Sequence, residues 1–386
     1  MSAAVRTGYK QTDVGLIPED WEQRTIGDLI AFEGGSQPEK SVFRASPRPG
    51  FVRLIQIRDY KTDKFEVFAP VSLLRRFCDE HDIMIGRYGP PVFQILRGLS
   101  GAYNVALIKA CPRPEIDRNF AYYYLKQDSL FEFIDKLSRR SSGQTGVDLF
   151  ELRGYPLPLP PLAEQRAIAT ALSDVDALLS GLDSLIAKKQ NLKQAAMQQL
   201  LTGQTRLPGF SGEWEVKRLG DVVEIRKGQL ITEKTVVFGE IPVIAGGKKP
   251  AYFHNQPNRV GKTITVSASG ASAGYVALFD QPIFASDCST ISEGQDYSIE
   301  FICFQMQLRQ DAIYRAQTGG AQPHIHAMDL APIEIGCPEL AEQTAIATVL
   351  SDMDTELAAL QARRDKTRAL KQGMMQELLT GRIRLV

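Results

Sequence analysis

Few residues in this chain are spaced for catalysis. Arg259-Val260-Gly261-Lys262-Thr263 ends like a phosphate-binding loop, but Gln256 stands where that loop needs its first glycine. Gly89-Pro90-Pro91-Val92 is not the string, Asp or Asn before two prolines and an aromatic, that amine methyltransferases use. No glycine-rich fingerprint for a methyl donor follows a strand. His324 and His326 lie two apart with no Cys or acidic cluster to complete a metal site. The five cysteines (Cys78, Cys111, Cys288, Cys303, Cys337) form no CxxC and have no histidine signature for a nucleophile, so neither a disulfide framework nor a zinc module is expected. The chain is therefore expected to carry no chemistry and no cofactor of its own.

The elements that hold these residues are bounded by composition. At 386 residues, two to three domains are expected, with ordinary hydrophobic content for their cores. Lys and Arg number 45 against 45 Asp and Glu, so global charge points to no anionic partner, and any basic surface must be assembled by folding. The start, MSAAVRTGYKQTD, lacks an apolar leader, and no apolar run reaches the ~20 residues of a membrane span. A reducing cytoplasm and no membrane partner are expected.

The strongest signal is an internal repeat. Residues 163–176 read AEQRAIATALSDVD and residues 341–354 read AEQTAIATVLSDMD. Both run on to similar ends, QQLLTGQTRL and QELLTGRIRL. Ile168, Leu172, Val175, Leu179, Leu182 and Ile186 step 4-3-4-3-4, as do Ile346, Leu350, Met353, Leu357 and Leu360, which is the seam of a coiled coil. The seam is expected to change phase near Lys188-Lys189 and Arg363-Arg364 and to resume at Leu192 and Leu370. Gly203 and Gly381 are expected to stop the helices. Each helix could pack on its own globular segment. Two copies of one seam more simply pack on each other, and antiparallel, because a whole segment returns the chain to its start. That arrangement would relate the halves by a pseudo-two-fold.

Four segments follow: 1–155 globular, 156–205 helical, 206–336 globular, 337–386 helical. The globular segments share a plan. DWEQRTIGDL (20–29) is echoed by EWEVKRLGDV (213–222), pairing Trp21 with Trp214. FVRLIQIRDY (51–60), HDIMIGRYG (81–89) and YNVALIKA (103–110) look like strands, and residues 120–139 have helical spacing. KTITVSASG (262–270) stands where HDIMIGRYG does, and 298–316 replaces the aromatic helix. The prolines of YPLPLPPL (155–162) forbid helix or central strand and give an extended lead-in. Identity is high in the helices and low in the globular parts, which suggests one shared helical job and two different globular ones.

This pattern, above all LPPLAEQRAIA (159–169) and CPELAEQTAIA (337–347) with the LLTG ends, resembles the specificity subunit of type I restriction-modification systems over essentially the whole chain. The second copy departs at Glu339, where the first has Pro161. The resemblance implies an α+β architecture: two target recognition domains separated by two spacer helices in an antiparallel coiled coil. Each domain would read half of a split, asymmetric site on double-stranded DNA. The coil would set the gap and dock two methyltransferase subunits, which bind S-adenosylmethionine, with restriction subunits that use ATP and Mg joining them. A partner that fuses restriction and methylation in one polypeptide would leave this chain looking the same. A coiled-coil scaffold that never touches DNA is a third reading, but predicts apolar loops.

Candidate base or phosphate contacts follow from residue type. In the first segment they are Arg53, Gln56 and Arg58, then Arg87, Tyr88 and Arg97, then the run Arg139, Arg140, Ser142, Gln144 and Thr145. In the second they are Lys248, Lys249, Tyr252 and His254, then Ser267, Ser269 and Ser272, then Thr318, Gly319, Gly320, Gln322 and His324. Arg and Gln suit bidentate contacts with base edges, and glycine lets backbone approach DNA closely.

Overall fold

Both repeats fold as 39-residue helices, Leu162–Leu200 and Leu340–Leu378, in a computed structural model that describes residues 7–140, 146–319 and 322–385. At 1.5 Å per residue each is ~58 Å long. The chain divides into two units inside these helices. One holds residues 1–181 and 364–386, the other residues 182–363. Each unit is thus a globular segment with about half of each helix, a partition that cuts across the four segments read from the sequence.

Within each unit the helices run antiparallel. In the second unit Lys189 pairs with Glu356 at 2.7 Å and Lys193 with Asp354 at 2.5 Å, so residue numbers rise on one helix as they fall on the other. In the first, Lys371 pairs with Asp176 at 2.5 Å. Lys193–Asp354 and Asp176–Lys371 are the same pair in the two repeats, since 176 + 178 = 354 and 193 + 178 = 371.

The seam does not change phase. Its spacing continues through Lys189, Lys193 and Ala196 to Leu200, and in the other helix through Arg364, Thr367, Lys371 and Met374 to Leu378. The lysines lay their stems along the seam and deliver their charges to facing carboxylates. Leu192 and Leu370, expected on the seam, are 46% and 59% exposed. Packing on the globular segment and packing on the other helix both occur. Ile168 and Leu172 lie in one core with Trp21, Phe120, Leu378 and Leu379. Ile346 and Leu350 lie in another with Met197, Leu200, Phe301 and Ile302. Leu182, Ile186 and Leu357 are buried, while Val175, Leu179, Met353 and Leu360 are half-buried. Each fully buried aliphatic side chain stabilises by about 1.5–3 kcal/mol, against about 0–1 kcal/mol for an exposed ion pair, so apolar burial holds the helices and the ion pairs fix register.

The globular segments share one fold. In the first unit Leu107–Pro112 pairs antiparallel with Ile30–Gly34 and Ile83–Gly86, and Gln94–Leu96 closes the edge. In the second, Cys288–Ser292 pairs with Arg226–Lys227 and Thr263–Ser267, with Val276–Phe279 at the edge. A second sheet repeats too: Phe51–Ile55 lies parallel to Gly101–Tyr103 and antiparallel to Phe68–Pro70, as Ile241–Ile244 does to Phe284–Ala285 and Tyr252–His254. The single strand expected over 103–110 is split, because Asn104–Ala106 carries the chain from one sheet to the other. The helix expected over 120–139 is two, Arg118–Leu125 and Asp128–Arg140. The proline-rich lead-in, Pro156–Leu159, is extended and pairs with Glu22–Thr25 in a two-strand ribbon, where prolines lacking an N–H are tolerated. Cys337 closes the matching ribbon, Glu334–Cys337 with Glu215–Arg218.

Candidate nucleic-acid interface

In the second unit three loops and one crossover meet. The loop after Ile241–Ile244 carries Gly246, Gly247, Lys248 and Lys249. Ser267 is the buried end of a strand, and its hydroxyl donates to the Gly246 carbonyl at 2.8 Å. Ser269 donates its hydroxyl to Asp287 and forms a β-bridge with His324, which in turn bridges Thr318 through a pair of 2.8 Å backbone bonds. Gly246 packs so closely that a Cβ there would lie 2.8 Å from the Ser269 carbonyl. Lys248 and Lys249 are exposed, with the Lys248 ammonium 5.1 Å from the centre of the Tyr275 ring. Thr318 and Gln322 are exposed, and the half-buried His324 stacks its ring on His326 at 6.4 Å.

The first unit builds the same junction from different side chains. Arg87 donates its backbone N–H to Ala106 at 2.8 Å and accepts from Val147 at 3.1 Å, as Ala268 does with Asp287 and Ile325. Tyr88 bridges Gly146 as Ser269 bridges His324. The Arg87 guanidinium lies over the Tyr88 ring at 5.1 Å. Of the polar run expected after the aromatic helix, Ser142, Gln144 and Thr145, like Gly320 in the second unit, lie outside the described residues, as does the side chain of Arg140.

Other candidates stand elsewhere. Arg53 is surrounded by Glu66 at 2.7 Å, Asp63 at 3.0 Å and Asp59 at 3.9 Å, so its charge is already opposed by carboxylates. Gln56 opens a short turn whose Asp59 carboxylate accepts the Gln56 N–H. Arg58 is exposed, over the Phe65 ring at 5.5 Å. Arg97 is pressed onto the Tyr122 ring at 4.2 Å and donates to Asn119, and burial pulls its guanidinium pKa down. Arg139 pairs with Asp135 one helical turn back. Tyr252 and His254 occupy an edge strand, where the His254 ring bonds the Val237 backbone. Ser272 sits in the turn Gly270–Ser272, its carbonyl accepting from Tyr275.

Sequence reasoning missed the residues that fasten each segment to the helices. Glu164 and Glu342 are 1% and 2% exposed in the first turns of the two helices. Trp21 donates its indole N–H to Glu164 at 2.9 Å, and Trp214 donates to Glu342 at 3.2 Å. Arg384 grips Glu164 and Asp20, and Arg206 grips Glu342. Arg384 holds the Asp20 carboxyl below its usual pKa. Gln165 accepts the N–H of Asp117, whose carboxylate caps the helix Arg118–Leu125; Gln343 does the same for Ser298, the cap of Ile299–Leu308. Gly203 and Gly381 have φ of 71° and 74°, and a Cβ at Gly381 would lie 2.5 Å from Pro18. They end the helices in the left-handed conformation glycine favours, and at Gly381 the missing side chain also makes room for Trp21, 3.1 Å from where a Cβ would stand. The signal was present, since Glu-Gln recurs in both repeats while Arg166 becomes Thr344.

Among the described residues no group of three or more His, Cys, Asp or Glu is gathered for a metal, and no helix is long and apolar enough to cross a membrane. Burial pushes the Cys288 and Cys303 thiols up to about 12 and Cys78 to about 11.

Comparison with known proteins agrees with this layout. The sequence model of the type I restriction modification DNA specificity domain matches twice, over residues 18–193 and 211–367. The type I restriction enzyme MjaVIII specificity subunit of Methanocaldococcus jannaschii is 24% identical, over 98% of this chain and 96% of its own length. The crystal structure of a type I restriction-modification S subunit from M. genitalium superposes with a TM-score of 0.68 at 18% identity, covering 93% of this chain and 96% of that one. A chain from a study of complex assembly and conformational transition in the type I system gives 0.57 at 16% identity, over 95% of this chain and 99% of its own.

Proposed function

The chain belongs to the family of type I restriction-modification specificity proteins, and from that premise we propose that its two globular segments read the two halves of a split, asymmetric site on double-stranded DNA. One observation carries this reading. The same junction of loops occurs in both units, on one shared fold, with Arg87 and Tyr88 in the first where Ala268 and Ser269 stand in the second. A common scaffold with different side chains at one place is what two readers of different sequences require. Base-edge contacts at these junctions specify, and exposed cations such as Lys248 and Lys249 hold the phosphate backbone.

The helices serve the rest of the assembly. Their length sets the gap between half-sites, and their repeated outward faces dock two methyltransferase subunits. S-adenosylmethionine and the target-base chemistry belong to those subunits, and ATP, Mg and cleavage to restriction subunits. This chain supplies recognition and no catalysis. Selection of bound sequences from randomised duplex DNA, with the full chain in its methyltransferase complex, tests the reading. Two short unlike motifs separated by a fixed unread gap are expected. A single continuous motif, or none, would overturn it.

A further inference from the structure

A carboxylate that no sequence signal marked sits inside the second junction. Asp287 lies on the crossover between Phe284–Ala285 in one sheet and Cys288–Ser292 in the other. It is half-buried and takes the Ser269 hydroxyl on Oδ2; no hydrogen bond reaches Oδ1 among the described residues. Gly246 stands beside it, since a Cβ there would lie 3.4 Å from Oδ2, and as glycine it puts no side chain over the carboxylate. The same backbone position in the first unit is Ala106. Each of Ala106 and Asp287 accepts, through its carbonyl, the N–H of the junction loop, from Arg87 in one case and Ala268 in the other. At this one place on the shared fold, the first unit therefore presents a cation with an alanine, and the second an anion with an alanine.

Building on the reading proposed above, we infer that Asp287 is a specificity-determining residue of the second segment and accepts a hydrogen bond from the N4 amine of a cytosine in the major groove. A carboxylate is acceptor-only. It repels phosphate, guanine O6 and N7, and thymine O4, and is satisfied by a base that offers a donor. Adenine offers N6 but sets the N7 acceptor beside it, against the negative charge of the carboxylate, whereas cytosine offers N4 without that neighbour. Ser269 keeps the carboxylate oriented by holding one oxygen and leaving the other to the base.

The test is selection from randomised DNA with the full chain in its methyltransferase complex, comparing the parent with Asp287→Asn and Asp287→Ser. The parent should require cytosine at one position of one half-site. Asp287→Asn, which replaces one acceptor by a donor, should relax that position by roughly 10- to 100-fold in preference, with the other half-site intact. Asp287→Ser, which removes the carboxylate and leaves a small hydroxyl, should relax it as well, so a folding defect peculiar to one variant does not hide the effect. Unchanged preference in both variants, or a change confined to the half-site of the first segment, would overturn the inference while leaving the two-reader proposal intact. If the parent selects no split motif at all, the two-reader proposal itself fails.

Discussion

The fastening of each segment rests on one buried carboxylate with two donors, and this makes its residues testable singly. Removing Arg384 leaves Glu164, 1% exposed, with the Trp21 indole as its remaining side-chain donor among the described residues. Breaking a buried pair from one side is strongly destabilising, and because Arg384 is itself partly exposed we expect Arg384→Ala to cost on the order of 3 kcal/mol. Arg206→Ala should destabilise the second unit in the same direction, through Glu342. Chemical denaturation with Trp21 and Trp214 as separate fluorescent reporters, each in a variant lacking the other, checks this. Each substitution should shift the transition reported by its own tryptophan more than the other. Asp20 adds a pH dependence. Arg384 holds its folded pKa below the usual 3.8, so its contribution is present above that value and is lost as pH falls through the lower folded value. Asp20→Asn should match the parent below about pH 4 and be slightly less stable at neutral pH, flattening the acid dependence by that same small amount, as expected for a largely exposed group. Circular dichroism against pH would show it. The limits of sequence reading are clearest at this scale. Glu164 looked like an ordinary acidic first-turn residue, because the partners that bury it are 143 and 220 residues away in the chain. Arg53 looked like a free cation, and its acidic neighbours come from a turn whose shape the sequence does not display.

At the scale of elements, the long helices were legible because apolar residues stepping 4-3 along two copies of one segment line up on a single helical face, and their antiparallel packing because a whole globular segment returns the chain between them. The phase change was misread for a physical reason. An apolarity pattern counts a lysine as a break, whereas a lysine stem can fill a seam position when a carboxylate waits opposite. Lys371–Asp176 is additionally backed by Tyr123, whose hydroxyl donates to Asp176 at 2.9 Å and whose ring lies 5.4 Å from the ammonium. Among the described residues, Lys193–Asp354 is backed by the Phe304 ring at 5.2 Å and by no tyrosine hydroxyl. A double-mutant cycle with Lys371→Ala and Asp176→Ala should give a coupling of about 1 kcal/mol, and the cycle at Lys193 and Asp354 a smaller one. Equal couplings, or none at Lys371, would show that Tyr123 adds nothing to the pair. The two-sheet plan was legible only in part. Splitting 103–110 between sheets depends on where the chain crosses over, and nothing in YNVALIKA marks Asn104 as that point.

At the scale of the whole molecule, a tandem of two like units with unlike loops was readable from the contrast between the near-identical helices and the divergent segments. Which loop residues converge was not, since Gly246, Ser269, Asp287 and His324 are brought together from four separate stretches of chain. The proposal that each globular segment reads its own half-site stands or falls on segment exchange. Residues 208–336 would be replaced by the corresponding segment of another family member with a different DNA site. The chimera's site would then be read by selection from randomised DNA in the methyltransferase complex. One half-site should change to that of the donor while the other half-site and the gap stay as in the parent. A chimera that binds DNA with the parental site wholly unchanged, or with both half-sites altered, would refute the proposal.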